Sequence, residues 1–343
     1  MKMSTGGRGK WWWVVLASSS LVLWFGCGGD GPSSGEASAP AEGLNELTLA
    51  AVGSYPAAAV VELRGLVAWL NERLADDGWR VGIRIAGSVP EVAQWLGSGE
   101  ADLYMDSPHP ILLARHLSDC RPILRRWKFG SPTYDSQIFV REDSGIRDLE
   151  GLRGQTIAFE DRYSSSSFFL PMDLLISRGL EGSFLGQAED PVPPEQLGFV
   201  FSDGDSNTMH WVLAGKVTAG AMNRWNVDHL ADAERDQLRI LATTAELPRH
   251  LIAARSGLDP VAEARIRELL MSAHETEEGR AMLAEFSSTD RFDDIPAEFL
   301  ADIDRIQAGV VRLDELVTEA ATNRAAAANR ATAAHRAGES EEP

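Results

Sequence analysis

The stretch QTIAFEDRYSSSSFFLPMDLL, residues 155–175, joins a short apolar run to four consecutive serines and the start of a helix. Polar residues flank the run 156–159, a pattern typical of a strand covered on both faces. Residues 160–163 would then form the loop at the carboxyl end of that strand. The other elements of the chain can be placed around this strand, loop and helix.

The serine run 164–167 has two possible uses. Hydroxyl side chains are preferred where a helix begins, because they accept hydrogen bonds from its first unpaired N–H groups. A bound oxyanion can use the same N–H groups and the helix dipole, and the serine hydroxyls add donors. Spacing alone favours the helix cap, and the rest of the chain is needed to support an anion site.

Short strands alternate with amphipathic helices before and after this stretch. In the first part we predict strands at 47–52, 79–85, 101–105 and 123–127 and helices at 57–77, 90–96 and 111–117. This alternation is typical of an α/β fold with largely parallel sheets. Ligands bind beyond the carboxyl ends of such strands, so the loops 53–56, 106–110 and 160–167 are expected to border one cleft.

The second part of the chain continues the pattern. We predict strands at 134–141, 199–201, 215–222 and 238–241, helices at 172–179, 208–213, 260–274, 276–286 and 296–316, and a surface loop at 181–196. Residues 317–343 are rich in Ala but offer no large apolar face, which predicts a frayed helical extension or a disordered tail.

The first 26 residues have the composition of a targeting segment, with basic residues followed by the uncharged apolar run 11–26. This run is shorter than the ~20 residues that a spanning helix needs. Cys27 follows it, as at the site where bacterial lipoproteins are cut and acylated, although Trp24 and Phe25 depart from that pattern. The alternative is an uncleaved anchor helix, and both place the remaining chain outside the cytoplasmic membrane.

Composition excludes several classes of partner. Residues 27–45 are rich in Gly, Ser, Ala and Pro and are expected to form a flexible tether. The chain after residue 26 carries 29 basic against 51 acidic residues, which argues against nucleic acid and anionic lipid as partners. If Cys27 is acylated, Cys120 stands alone, so a disulfide framework or a Cys-based metal site is excluded.

Four motifs carry a resemblance to a known family. They are Ser164–Ser167 with Pro171, Tyr134–Ser136, Gly99–Asp102 followed by Tyr104 and Ser107–Pro108, and Gly215–Ala221. In this order and spacing, residues 47 to about 316 resemble the periplasmic substrate-binding proteins of phosphate, phosphite and phosphonate ABC importers.

The resemblance implies a two-lobed, type II periplasmic-binding-protein-like α/β fold that closes over its ligand. One lobe would comprise 46–135 plus 243–316 and the other 136–242, with two hinge crossings. It also implies that Ser164, Ser165 and Ser166 hold the ligand's oxyanion. The further contacts that we expect are Tyr55, Tyr104, Asp106, Ser107, Tyr134, Ser136, Asp205, Asn207 and Thr208.

Two aspartates depart from what an anion site requires. Asp205 stands where the family often has a histidine, and Asp106 follows a cleft strand; either carboxylate would repel a phosphonate unless it serves another part of the ligand. An aminoalkylphosphonate would avoid this repulsion, because its oxyanion would lie on Ser164–Ser166 and its ammonium group would pair with Asp106 or Asp205. All four tyrosines, Tyr55, Tyr104, Tyr134 and Tyr163, fall near cleft loops, where their faces can attract a cation or simply pack half-buried.

The sequence offers no pattern typical of an enzyme. The seven histidines follow no catalytic or metal-ligating spacing, and the G-x-S-x-G and H-E-x-x-H motifs are absent. His109 lies close enough to the expected cleft to be either a ligand contact or a structural residue.

We therefore predict a monomeric, lipid-anchored, extracytoplasmic binding protein for an ABC permease, without a cofactor or metal. The alternatives are a binding protein that feeds a membrane sensor and a binder of a small cationic amine.

Overall fold

The computed structural model describes residues 43–53 and 56–339. The predicted signal segment 1–26, Cys27, most of the tether and Tyr55 lie outside the described residues. Within them no helix is both long and apolar enough to span a membrane.

The strands and helices alternate along the described chain. The strands are β1 Asn45–Val52, β2 Trp79–Ala86, β3 Leu103–Asp106, β4 Arg121–Lys128, β5 Thr133–Tyr134, β6 Ser136–Arg141, β7 Thr156–Phe159, β8 Gly182–Phe184, β9 Leu197–Phe201, β10 Ala219–Asn223, β11 Leu238–Thr243, β12 Leu247–Pro248, β13 His250–Ala254 and β14 Thr289–Asp293. The α-helices are α1 Pro56–Leu74, α2 Val89–Ser98, α3 Pro108–Ser118, α4 Leu170–Ser177, α5 Asp205–Leu213, α6 Arg224–Asp228, α7 Asp232–Arg235, α8 Pro260–Ser272, α9 Glu277–Glu285 and α10 Ala297–Glu339.

The first sheet has the strand order β14-β4-β13-β3-β1-β2. β1 pairs in parallel with β2 and β3, whereas β13 runs antiparallel between β3 and β4. Helices cover both faces of this sheet, and successive residues of β3 point to opposite faces: Leu103 packs with α1 and α8, and Tyr104 packs with α2 and α3. We call the part of the chain built on this sheet the first lobe.

The second sheet has the order β11-β6-β10-β7-β9-β8 and forms the second lobe. β7 lies at its centre, parallel to both β10 and β9. Ile157, Ala158 and Phe159 are fully buried, as expected for a strand with both faces covered. The predicted fold class is confirmed: both lobes are α/β, with mostly parallel sheets flanked by helices.

The chain passes from the first sheet to the second after β4 and returns before β13. At these passages β5 pairs antiparallel with β12, Tyr134 opposite Leu247. The two connecting segments therefore run side by side between the sheets.

The helix α10 is longer than the sequence predicted. It is continuous over Ala297–Glu339, so the region after 317 is a helical extension as far as it is described. Buried side chains such as Val310 and Leu313 pack it against α3, and Arg324 donates to the carbonyl of Phe184 in β8 at 2.7 Å. α10 therefore contacts both lobes.

Four strands, β8, β12, β13 and β14, were not predicted from the sequence. β8 lies within the expected surface loop 181–196, β12 and β13 lie between the predicted strand 238–241 and the predicted helix 260–274, and β14 lies between two predicted helices. Each is five residues or shorter and is stabilised by partners far away in the chain, so local periodicity carries little signal. The predicted strand 215–222 was also wrong at its start, because Gly215 adopts a positive φ of 71° in a turn before β10.

Candidate functional site

The serine run begins the helix that follows β7, and its first member is the cap. The Ser164 hydroxyl accepts a hydrogen bond from the Ser167 N–H at 3.0 Å. Residues Ser165–Phe169 form a wide π-helical turn, in which the Phe169 N–H donates to the Ser164 carbonyl, and α4 continues from it. Since the family resemblance assigns Ser164, Ser165 and Ser166 to the oxyanion, we expected Ser167 to be the cap; the hydrogen bond shows that Ser164 has this role instead. We call residues 164–167 the serine turn.

Ser165 joins the serine turn to the first lobe. Its buried hydroxyl accepts from the His109 N–H at 2.7 Å and donates to the Ser107 hydroxyl at 2.9 Å, both at the start of α3. Ser166 is half-buried, lines the cleft and has no side-chain hydrogen bond to a described residue. The Ser166 hydroxyl is therefore the one in the serine turn that can bind a ligand without breaking a hydrogen bond to a described residue.

Two carboxyl groups lie beside the serine turn, and we call Glu160 and Asp205 the acid pair. Asp205 accepts from the Ser167 hydroxyl at 2.8 Å and from the Asn226 amide. Burial, and then the charge of Asp205, raises the pKa of Glu160 to about 7, and burial also raises the pKa of Asp205. The pair can therefore hold a proton near neutral pH and keep less than its full negative charge.

Asp106 forms a third acidic position, on the first lobe. It accepts from the Tyr104 hydroxyl at 2.8 Å and from the Ser107 N–H at 2.6 Å. Burial raises the pKa of Asp106 to about 6, although these hydrogen bonds favour the charged form. Tyr104 is fully buried and acts by orienting Asp106.

The loops after β1, β3 and β7 border one cavity of about 590 Å³ between the two lobes. Of the residues predicted to contact a ligand, those that line it are Asp106, Ser107, Tyr134, Ser164, Ser165, Ser166 and Asp205. This set brings together hydroxyl donors and carboxylates from both lobes.

The remaining predicted contacts lie behind or beside this lining. The Ser136 hydroxyl donates to the Met222 carbonyl at 3.1 Å, and Thr208 pairs with Ser202 at 2.6 Å. The Asn207 amide donates to the Ser202 carbonyl at 2.8 Å. These side chains support the loops that carry the lining residues.

His109, which the sequence left open as a contact or a structural residue, lies behind the lining. It is fully buried among the rings of Tyr163, Phe168 and Phe169, with centroids 5.8–6.3 Å away. Burial lowers its pKa to about 3, so the imidazole is neutral. Its backbone N–H donates to the Ser165 hydroxyl and so connects α3 to the serine turn.

Sequence reasoning missed the basic side of the cavity, which Lys128 and Arg249 line together with Phe129. Lys128 ends β4 and Arg249 lies between β12 and β13, so they are more than a hundred residues apart in the chain. Neither belongs to a loop at the carboxyl end of a parallel strand that the sequence marked. The antiparallel pairing of β13 with β4 brings them together.

Several solved structures are similar to this chain. XAC2383 of Xanthomonas citri, solved with chloride, is 26% identical with a TM-score of 0.74, covering 79% of this chain and 99% of its own. The same protein solved with ATP is 25% identical with the same TM-score and coverage. PhnD1 of Prochlorococcus marinus, in complex with methylphosphonate, is 16% identical with a TM-score of 0.57, covering 76% of this chain and 96% of its own.

The sequence profile described as "ABC transporter, phosphonate, periplasmic substrate-binding protein" matches residues 51–298, most of the described chain. The match confirms the resemblance drawn from the serine, tyrosine and glycine motifs. This chain belongs to the family of periplasmic substrate-binding proteins of phosphonate ABC transporters.

Proposed function

We propose that this protein captures a small phosphonate- or phosphate-type oxyanion between its lobes and delivers it to an ABC permease. The observation that carries this proposal is the serine turn, which begins a helix at the carboxyl end of the central strand β7 and leaves the Ser166 hydroxyl uncommitted. N–H groups and hydroxyls at a helix start are suited to an oxyanion.

The acid pair supports a ligand that also carries an amine. Asp205 lines the cavity next to the serine turn, and Glu160 lies beside it. With an oxyanion on Ser166, the ammonium group of an aminoalkylphosphonate can approach these carboxyls and favour their charged form. The same wall would attract a small cationic amine without an oxyanion, which is the alternative that the test must separate.

Cavity size supports a second ligand class. The cavity of about 590 Å³ lies within the ~300–1,000 Å³ typical of sites for drug-sized ligands. The Xanthomonas citri protein with the similar fold was solved with ATP. A larger phosphoryl compound is therefore the second candidate.

The ligand class can be tested by calorimetry on the purified chain. The panel comprises phosphate, phosphite, methylphosphonate, 2-aminoethylphosphonate, choline, a sulfonate and ATP. We expect methylphosphonate to bind and 2-aminoethylphosphonate to bind more tightly. Binding of choline alone would contradict the oxyanion proposal, and equal affinities for the two phosphonates would contradict the role of the acid pair.

We also propose that acylated Cys27 anchors the protein at the outer face of the cell membrane, as the sequence around it suggests. Mass spectrometry of the membrane fraction should find a lipid on Cys27, and Cys27→Ala should release the protein into the soluble fraction. Retention of Cys27→Ala in the membrane would instead favour an uncleaved anchor helix. Ligand uptake that is lost on deletion of the gene would favour transport over sensing.

A further inference from the structure

Lys128 and Arg249 line the cavity, and we call them the basic pair. Arg249 is only 6% exposed, yet its guanidinium makes no ion pair or side-chain hydrogen bond with any residue of 43–53 and 56–339. The Lys128 ammonium likewise has no such partner within those ranges. Burying an unpaired charge is costly, so a cation kept in this state inside a binding cleft indicates an anion that arrives with the ligand.

A neighbouring buried arginine differs from the basic pair, because its guanidinium has hydrogen-bond partners. Arg126, on β4, is also buried, but it donates to the Thr289 hydroxyl at 2.7 Å and to the Phe286 carbonyl at 3.0 Å. Asp290, which favours the charged form of Arg249, accepts from the Gly130 N–H at 2.7 Å instead of pairing with the guanidinium. The chain has a net charge of −19, so the missing partner does not reflect a shortage of acids.

The two cations of the basic pair share one aromatic neighbour, Phe129. Lys128 Nζ lies 5.3 Å and Arg249 Cζ 5.0 Å from the centre of the Phe129 ring. Burial, and then the charges of Arg126 and Arg249, lowers the pKa of Lys128 to about 8, and an anion between the cations would relieve this repulsion. Tyr134, whose ring centre lies 5.7 Å from Arg249 Cζ, also lines the cavity.

We propose that Lys128 and Arg249 bind a second acidic group of the ligand, separate from the oxyanion on the serine turn. This rests on the proposed function and narrows it: the ligand is a phosphonate or phosphate that also carries a carboxylate or a second phosphoryl group. The cavity volume of about 590 Å³ accommodates such a molecule. An amine facing the acid pair can belong to the same ligand.

The test compares a probe with one acidic group, methylphosphonate, and a probe with two, phosphonoacetate. Calorimetry gives the ratio of their dissociation constants for the wild-type chain, Arg249→Met, Lys128→Met and the exposed control Arg80→Met. We expect phosphonoacetate to bind the wild type and Arg80→Met about tenfold more tightly, as one charge-assisted contact provides. In Arg249→Met and Lys128→Met the ratio of the two dissociation constants should fall towards one. Arg249→Lys, which keeps the charge, should restore part of the ratio.

The outcomes separate this inference from the proposed function. Equal loss of both probes in Arg249→Met would overturn it in favour of a single shared oxyanion site, and an unchanged ratio in folded Arg249→Met and Lys128→Met would show a purely structural role. A wild type that binds methylphosphonate but gains nothing from the second acid overturns the second site alone. A wild type that binds neither probe overturns both proposals. Thermal melting establishes that each variant is folded, and Lys128, the less buried of the pair, decides the result if Arg249→Met does not fold.

Discussion

At the residue scale, each of the four serines has a different role although their side chains are identical. Ser164 caps the helix, Ser165 joins the lobes, Ser166 faces the cavity and Ser167 supports Asp205. These different roles depend on the π-helical turn Ser165–Phe169, which a run of four serines in the sequence does not predict. The family resemblance pointed to the run, and the contacts show which hydroxyl is uncommitted.

The cap can be tested by its effect on stability. Ser164→Ala removes the acceptor for the Ser167 N–H and should lower the free energy of unfolding by about 1 kcal/mol. Ser177→Ala, at an exposed position at the end of α4, should change it by less than about 0.5 kcal/mol. Urea titration monitored by circular dichroism measures both, and equal values would contradict the assignment of the cap.

Glu160 predicts a pH dependence of stability with a definite sign. Its pKa in the folded protein, about 7, lies above the usual 4.5, so the folded state binds a proton more tightly than the unfolded state. The contribution is complete below pH 4.5 and is lost as the pH rises through about 7. As the pH rises from 4.5 to about 7, the free energy of unfolding of Glu160→Gln should therefore fall less than that of the wild type. Urea unfolding at a series of pH values measures this difference. A larger loss in the variant would contradict the raised pKa.

At the scale of elements, α10 shows what the sequence can predict of a helix and what it cannot. Its first half was predicted as a helix, but its contacts with both α3 and β8 were not, because an amphipathic pattern does not say which partner covers the apolar face. β7 was predicted correctly because its apolar run is bounded by polar residues within the chain itself. The strands β8, β13 and β14 lacked such a local signal.

The packing of α10 can be measured with a matched pair of truncations. Leu313 is 1% exposed and Leu300, on the same helix, is 46% exposed. Leu313→Ala should lower the free energy of unfolding by about 2–5 kcal/mol, through lost burial and a cavity. Leu300→Ala should cost less than about 0.5 kcal/mol. Similar costs in urea unfolding would show that α10 is not part of the core.

At the scale of the whole molecule, the two lobes contact each other through residues that are far apart in the chain. Ser165 contacts Ser107 within the cleft, and Phe129 of the first lobe stacks on Trp225 of the second with ring centroids 4.5 Å apart. The sequence could predict two lobes and three of the loops between them. It could not predict this stack or the basic pair, since both depend on how segments distant in the chain are brought together.

The stack should slow ligand release, because the lobes must separate for the ligand to leave. Aromatic pairs contribute about 0.5–1.5 kcal/mol beyond the area that they bury, so Trp225→Ala should speed dissociation about two- to tenfold. Trp211→Ala, on α5 outside the cavity lining, is the control and should leave the rate unchanged. Stopped-flow dissociation of a bound phosphonate measures both, and an unchanged rate in Trp225→Ala would contradict a role in closure.

The central claim is that the serine turn binds the ligand's oxyanion. The measurement that tests it most directly is calorimetric titration of the wild type, Ser166→Ala and Ser177→Ala with methylphosphonate and 2-aminoethylphosphonate. We predict that Ser166→Ala weakens both ligands about tenfold, the value of one hydrogen bond to a charged group, while Ser177→Ala binds as the wild type does. Unchanged affinity of folded Ser166→Ala for both phosphonates would contradict the claim and leave the serine turn as a helix start alone.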